Sequence, residues 1–131
     1  MENSVFAKIV RGEIACHKIY EDDLTLAFLD VYPKHDGHAL VIPKLRPTEF
    51  AWDLDDEMYQ AVMQTAKKIA KRQRELLPYP YIHLAIVGTD VPYTHVHTIP
   101  FRQISDIRHD QPTDEADHQR LAELAKKLYF E

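Results

Sequence analysis

Cysteine is almost absent from this 131-residue chain, which holds a single one, Cys16. That excludes a disulfide framework within the chain and any zinc site built on paired cysteines. Long apolar runs are missing as well: none approaches the roughly 20 residues that span a bilayer, so no membrane partner is expected. Glu2 and Asn3 lead into no apolar stretch of the signal-peptide kind, and a reducing, cytoplasmic setting is the expectation. A basic excess is lacking too. With 16 Lys and Arg against 21 Asp and Glu, the net charge of −5 argues against a broad electrostatic grip on nucleic acid. Repeats, linkers and low-complexity tracts are absent, so residues 1–131 read as one domain, long enough to bury a core without staples.

What is present is an ordinary globular composition, 45% hydrophobic and 28% charged, with a mild excess of eight histidines. Val5 to Val10 suits a short helix stopped at Gly12. Lys18–Glu21 and Leu24–Leu29 read as strands joined by a tight Asp22-Asp23 turn, and His38–Pro43 as a third strand, buried along a continuous apolar run. The period then changes. Met58, Val62, Thr65, Ile69 and Leu76 fall at helical spacing, predicting one long helix from about Asp55 to Leu77, stopped by Pro78 and Pro80. Asp53, Asp55, Asp56 and Glu57 at its start, and Lys71, Arg72 and Arg74 near its end, complement the helix dipole. Tyr81–Val87 and Thr94–Ile99 are further strands around a Gly88-Thr89-Asp90 turn. A last helix, about residues 113–129, carries a Leu121, Leu124 and Leu128 packing stripe. The β-β-β-α-β-β-α order with short connections predicts an α+β fold: an antiparallel sheet of about five strands, one long central helix, and short N-terminal and C-terminal helices.

His95 and His97 are two residues apart on the last strand, so both imidazoles share one face with Tyr93, and the strand's end at Pro100 suggests the rim of the sheet. Read alone, the pair is equally consistent with partly exposed histidines on a polar strand face. A neutral imidazole is nonetheless a capable nucleophile toward phosphorus near pH 7.

Three further stretches bear on that choice: Phe6 to Ile14; Tyr20-Glu21-Asp22-Asp23 running into Ala27 to Pro33; and Gly37-His38-Ala39-Leu40-Val41-Ile42-Pro43-Lys44. With His95-Val96-His97-Thr98-Ile99-Pro100 they resemble the histidine triad (HIT) family, in its branch of small nucleoside phosphoramidases and dinucleoside polyphosphate hydrolases. The resemblance covers about residues 3–102 and leaves residues 113–129 as a helical extension. It implies a HIT-like fold and hydrolysis or transfer at the α-phosphate of a purine nucleotide conjugate, of adenosine or guanosine, without a cofactor or metal. His95 falls on the family's nucleophile, which would form a covalent nucleotidyl intermediate; His97 and His38 fall on its partner histidines and, if protonated, would offset phosphoryl charge. Base and ribose would rest on Val5, Phe6, Ile9, Phe28, Asp30 and Val31, with Asp30 accepting from the ribose hydroxyls. By composition, Val5, Phe6, Ile9 and Phe28 are core, and Asp30 is a turn residue. Homodimerisation is expected from the resemblance and from the need to cover a sheet edge.

The chain departs from the pattern at two places. Tyr93 stands where the family has its first triad histidine, replacing a possible positive charge with a phenol. The loop before the histidines is short, and Asp90 falls where many relatives carry a small hydroxyl residue. An ionised Asp90 would repel phosphate; raised by burial it could protonate a leaving group; or it could be a turn aspartate facing water. Asp90 and Tyr93 therefore join the candidate nucleotide contacts. Two other readings stay open: a nucleotide-binding regulatory module with little turnover, and a metal protein using His38, His95 and His97. His17, His35, His83, His109 and His118 match no motif position.

Overall fold

The computed structural model describes residues 1–131. Five strands, β1 (Lys18–Glu21), β2 (Thr25–Leu29), β3 (Ala39–Pro43), β4 (Tyr81–Ala85) and β5 (Val96–Phe101), form one sheet in the order β1-β2-β3-β5-β4, antiparallel throughout. Helix α1 (Val5–Val10) lies on one face, and α2 (Asp56–Leu76) and α3 (His118–Leu128) on the other. This is the α+β architecture that the element order predicts. No helix is long and apolar enough to cross a membrane.

The two sides of the sheet carry separate sets of residues because strand side chains alternate. Ala27, Leu29, Ala39, Val41 and Val96 pack with Val62, Ala66 and Ile69 of α2 and with Leu121, Ala125 and Leu128 of α3. Leu26, Phe28, Leu40 and Ile42 pack with Phe6 and Ala7 of α1 and with Tyr93. Both faces of β2 and β3 are thereby covered, which is why these strands read as unbroken apolar runs.

Local chemistry fixes the connections. Asp22 Oδ1 accepts from the amides of Leu24 and Thr25, closing the β1–β2 turn at the expected place. The Asp55 side chain caps α2 by accepting from the Met58 amide. Its buried stripe departs from expectation at one point: Leu76 is only partly buried, and Gln73 is fully buried instead. Gln73 Nε2 donates to the carbonyls of Gly37 and Thr98 at 2.9 and 3.1 Å, tying α2 to the turn before β3 and to β5.

Two expectations need correction. The strand predicted over Thr94–Ile99 is not at the rim, and it starts at Val96 rather than Thr94: β5 lies between β3 and β4, carries His97 and is directly preceded by His95. Pro100 is tolerated there because the β3 pairing covers only Val96 to Thr98, so the missing N–H lies past the end of β3. The last helix begins at His118 rather than near Thr113. The preceding segment is held against the end of β2 instead, with the Ala116 amide donating to the Val31 carbonyl at 2.8 Å.

The Gln73 contacts generate a test. Gln73→Leu, although apolar and buried, should lower unfolding stability by about 2 kcal/mol because two carbonyls lose their donor. A lower urea midpoint at unchanged m-value is the expected readout; an unchanged midpoint would show that apolar packing alone suffices there.

Candidate active site

Strand register assembles the site. Leu29 pairs with Ala39, and Leu40 with His97. One step beyond the β2 end, the Asp30 amide donates to the His38 carbonyl at 2.9 Å. Phe28 and Asp30, His38 and Leu40, His95 and His97 each differ by two residues, so all six share the face covered by α1. Gly37, with φ of +83°, makes the turn that delivers His38, and its missing Cβ leaves room for Leu77.

The histidines form a directional hydrogen-bond chain. The Lys34 amide donates to His38 Nδ1 at 3.0 Å, so neutral His38 carries its proton on Nε2. That proton is donated to His97 Nδ1 at 2.9 Å, leaving the His97 proton on Nε2. His97 Nε2 is buried and has no partner, a free donor beside His95, whose ring centroid is 5.0 Å away. His95 Nδ1 donates to the Tyr93 carbonyl at 2.7 Å, which turns Nε2 toward Asp90 Oδ1 at 3.1 Å. Both partners of His95 are oxygen atoms, one of the backbone and one of a carboxylate.

Burial sets the charge states. It pushes His97 down to about 4, helped by the neighbouring His95, and His38 down to about 2, helped by His97. Both are neutral near pH 7 in this state, so the protonated forms considered from sequence are disfavoured and His97 acts as a neutral donor. Burial pushes Asp30 up, to about 6, against the Tyr32 amide and Gln111 amide donors that favour its charged form.

A cavity of about 650 Å³ opens beside these groups. Val5, Phe6, Ile9, Phe28, Asp30, Val31 and Asp90 all line it. Phe6 and Phe28 are also core, stacked edge-on with centroids 5.5 Å apart. Asp90, with a half-exposed side chain, stands between the cavity and His95 rather than merely facing water. Tyr93 is the exception. It lies outside the cavity, buried on the far side of Phe6, with its hydroxyl donating to the Pro43 carbonyl.

Sequence reading missed several groups here. Gln111 donates to Asp30 Oδ2 at 2.9 Å and to the Tyr32 carbonyl at 2.8 Å. His17, Glu115 and His118 line the same cavity. No local motif marks them, because they come together only once the segment from Gln111 to His118 folds back along the end of β2.

Two donor sets could hold a metal ion, Asp30 with His38 and His97, and Asp90 with His95 and His97, the ligand atoms of each lying within 4.8 Å of one another. In the first, the His38–His97 hydrogen bond already uses the facing nitrogens.

Fold and site together define a small α+β protein that carries a buried histidine chain beside a nucleoside-sized cavity. The HIT domain family model matches residues 11–104, and the chain belongs to that family. It is 35% identical over 127 residues to an adenosine 5'-monophosphoramidase of Saccharomyces cerevisiae, covering 95% of this chain and 79% of the relative. An adenosine 5'-monophosphoramidase of Schizosaccharomyces pombe is 39% identical over 100 residues, covering 73% and 72%. Among solved structures, a Hit-like protein of Bartonella henselae described as involved in cell-cycle regulation superposes with a TM-score of 0.87 at 31% identity, covering 98% of this chain and 95% of that one.

The opposed shifts predict a pH dependence of stability. His38 and His97 bind protons more weakly folded than at their ordinary 6.5, so their stabilising contribution is complete above 6.5 and is lost as pH falls toward 4 and below. Asp30 runs the other way: its contribution is complete below 3.8 and is lost as pH rises through about 6. Two histidines outweigh one aspartate between these limits. Stability should drop by roughly 2–3 kcal/mol from pH 7 to pH 5, and His97→Gln should remove about half or more of that drop in urea titrations. A flat profile would contradict neutral, buried histidines.

Proposed function

We propose that this protein is a nucleotide hydrolase that cleaves at the α-phosphate of a purine nucleotide conjugate through a covalent nucleotidyl-His95 intermediate. The observation that carries this reading is the pinned His95 ring: its Nδ1 is held by the Tyr93 carbonyl and its Nε2 meets Asp90, which lines the cavity. A phosphoramidate is the preferred conjugate, since the family relatives named above include two adenosine 5'-monophosphoramidases; acyl-adenylates and dinucleoside polyphosphates present the same α-phosphate.

In the first step Asp90 holds the proton that lies between it and His95, leaving the Nε2 lone pair free to attack phosphorus. The bond from phosphorus to the leaving group breaks, and Asp90 passes its proton to the departing nitrogen or oxygen. Water then attacks the nucleotidyl-histidine with Asp90 as base, regenerating Nε2. The His97 Nε2–H supplies a neutral donor to a phosphoryl oxygen, and His38 keeps that tautomer in place by donating to His97 Nδ1. Asp30, ordered by Gln111 and the Tyr32 amide, retains lone pairs for the ribose hydroxyls. Tyr93 contributes its backbone carbonyl to His95, and its phenol supports the core.

One contact favours a second reading, that of a binding module with little turnover. The Asp90 carboxylate occupies the approach to Nε2 and would exclude an anionic phosphate unless it moves.

Acid quench of a reaction with an adenosine or guanosine phosphoramidate should trap a nucleotidyl adduct on wild-type protein and none on His95→Ala. Asp90→Asn should lower kcat by about 10²–10⁴-fold, the range of a lost acid–base group. Tight nucleotide binding without an adduct would select the regulatory reading, and product release by His95→Ala would exclude the mechanism.

We further propose that a second copy covers β4, an edge strand whose Tyr81 and Leu84, with the following Val87, are exposed. Sedimentation should give a dimer for wild type and a monomer for Leu84→Lys; a monomeric wild type would exclude this interface.

A further inference from the structure

The far wall of the nucleoside cavity comes from outside the residues that match the family model. The chain after Pro112 runs beside the end of β2, and the Ala116 amide is bonded to the Val31 carbonyl at 2.8 Å. This places Glu115 and His118 on the cavity lining, facing His17 from the segment that enters β1.

These three side chains are joined in series. His118 Nε2 donates to Glu115 Oε1 at 2.6 Å. His118 Nδ1 and His17 Nε2 lie 2.8 Å apart, with ring centroids at 5.1 Å. Because His118 spends its two nitrogens on different neighbours, the three groups do not converge on one point, as a metal centre would require. They form a strut that holds the Glu115 carboxylate at the wall of a mostly apolar cavity.

A carboxylate so held accepts and cannot donate. Each of its oxygens has two lone pairs, so the bond from His118 leaves Glu115 able to receive two parallel donors. Among purines, guanine presents two adjacent donors, N1–H and the exocyclic N2–H. Hypoxanthine presents N1–H alone. Adenine presents N6–H beside the N1 lone pair, which would face a carboxylate oxygen with repulsion.

We propose that Glu115, oriented by His118 and His17, reads the base edge of the bound nucleotide and selects guanine over adenine. This deepens the nucleotide-hydrolase reading and rests on it. Glu115 is a binding residue that touches the base; His118 and His17 are positioning residues. The glutamate is exposed at the rim, where water competes, so the preference is moderate, about 10-fold, corresponding to about 1.4 kcal/mol.

The test uses guanosine, inosine and adenosine 5'-phosphoramidates with one common amine, assayed on wild type, Glu115→Gln and His118→Ala. Wild type should rank them guanosine, then inosine, then adenosine in kcat/KM, with the differences in KM and a common kcat. Glu115→Gln should invert the order, because a glutamine amide accepts from adenine N6–H and donates to adenine N1. His118→Ala should shrink the guanosine preference without inverting it. Equal treatment of the three conjugates by wild type, or an unchanged ratio in Glu115→Gln, overturns the proposal. Calorimetry with GMP and AMP on the same proteins separates the two levels. Equal dissociation constants sink base reading by Glu115 alone, whereas no binding of either nucleotide sinks the nucleotide-hydrolase reading together with it.

Discussion

The antiparallel register of β2, β3 and β5 is the constraint on which the site depends. Side chains alternate along a strand, so a one-residue slip of any pairing would send its histidine or aspartate into the α2 face. With Leu29 opposite Ala39 and Leu40 opposite His97, Asp30, His38 and His97 meet at the sheet's centre. The register is in turn held by burial on both faces, since a slipped strand would trade Leu26, Phe28, Leu40 or Ile42 for residues shaped to fit α2. Gln73 adds a polar lock by bonding Gly37 and Thr98 across the two strands that deliver His38 and His97.

From that register follows a site whose order comes from hydrogen-bond direction rather than from charge. The Lys34 amide is the first donor, and each imidazole after it has its tautomer dictated by the previous one. Burial keeps His38 and His97 neutral, so the chain ends in an unpaired donor instead of a cation. His95 is set separately, by the carbonyl of Tyr93. Because a backbone carbonyl does this work, the orientation of His95 does not depend on the Tyr93 side chain. The phenol is absorbed into the core beside Phe6.

The carboxylates divide along the cavity. Asp90 meets Nε2 of His95, Asp30 sits where β2 ends, and Glu115 lies on the wall added by the C-terminal segment. Gln111 and the Tyr32 amide orient Asp30, His118 orients Glu115, and Asp90 lies 3.1 Å from His95 Nε2. An apolar cavity with a few oriented polar groups is the usual form of a small-molecule site.

Element types, most strand limits, the long α2 helix and the pairing of His95 with His97 were legible from periodicity and turn chemistry, since these depend on neighbours within a few residues. The motif also brought Asp30 and His38 into the same site as His95. Other features were not local. The place of β5 inside the sheet depends on β3 starting only at Ala39, which leaves Pro100 unpaired on that side, and Gln73 takes a core position that composition assigns to apolar residues. Asp90 looked like a turn residue until folding set it against His95. His17 and His118 matched no motif, because a contact between residues 101 apart leaves no periodic trace. By itself, then, the sequence determined the α+β architecture and the chemical identity of the buried histidines. Tertiary structure decided their tautomers and neutral state, the guard at His95 and the polar wall of the cavity, because donor direction and desolvation exist only once distant segments are packed together.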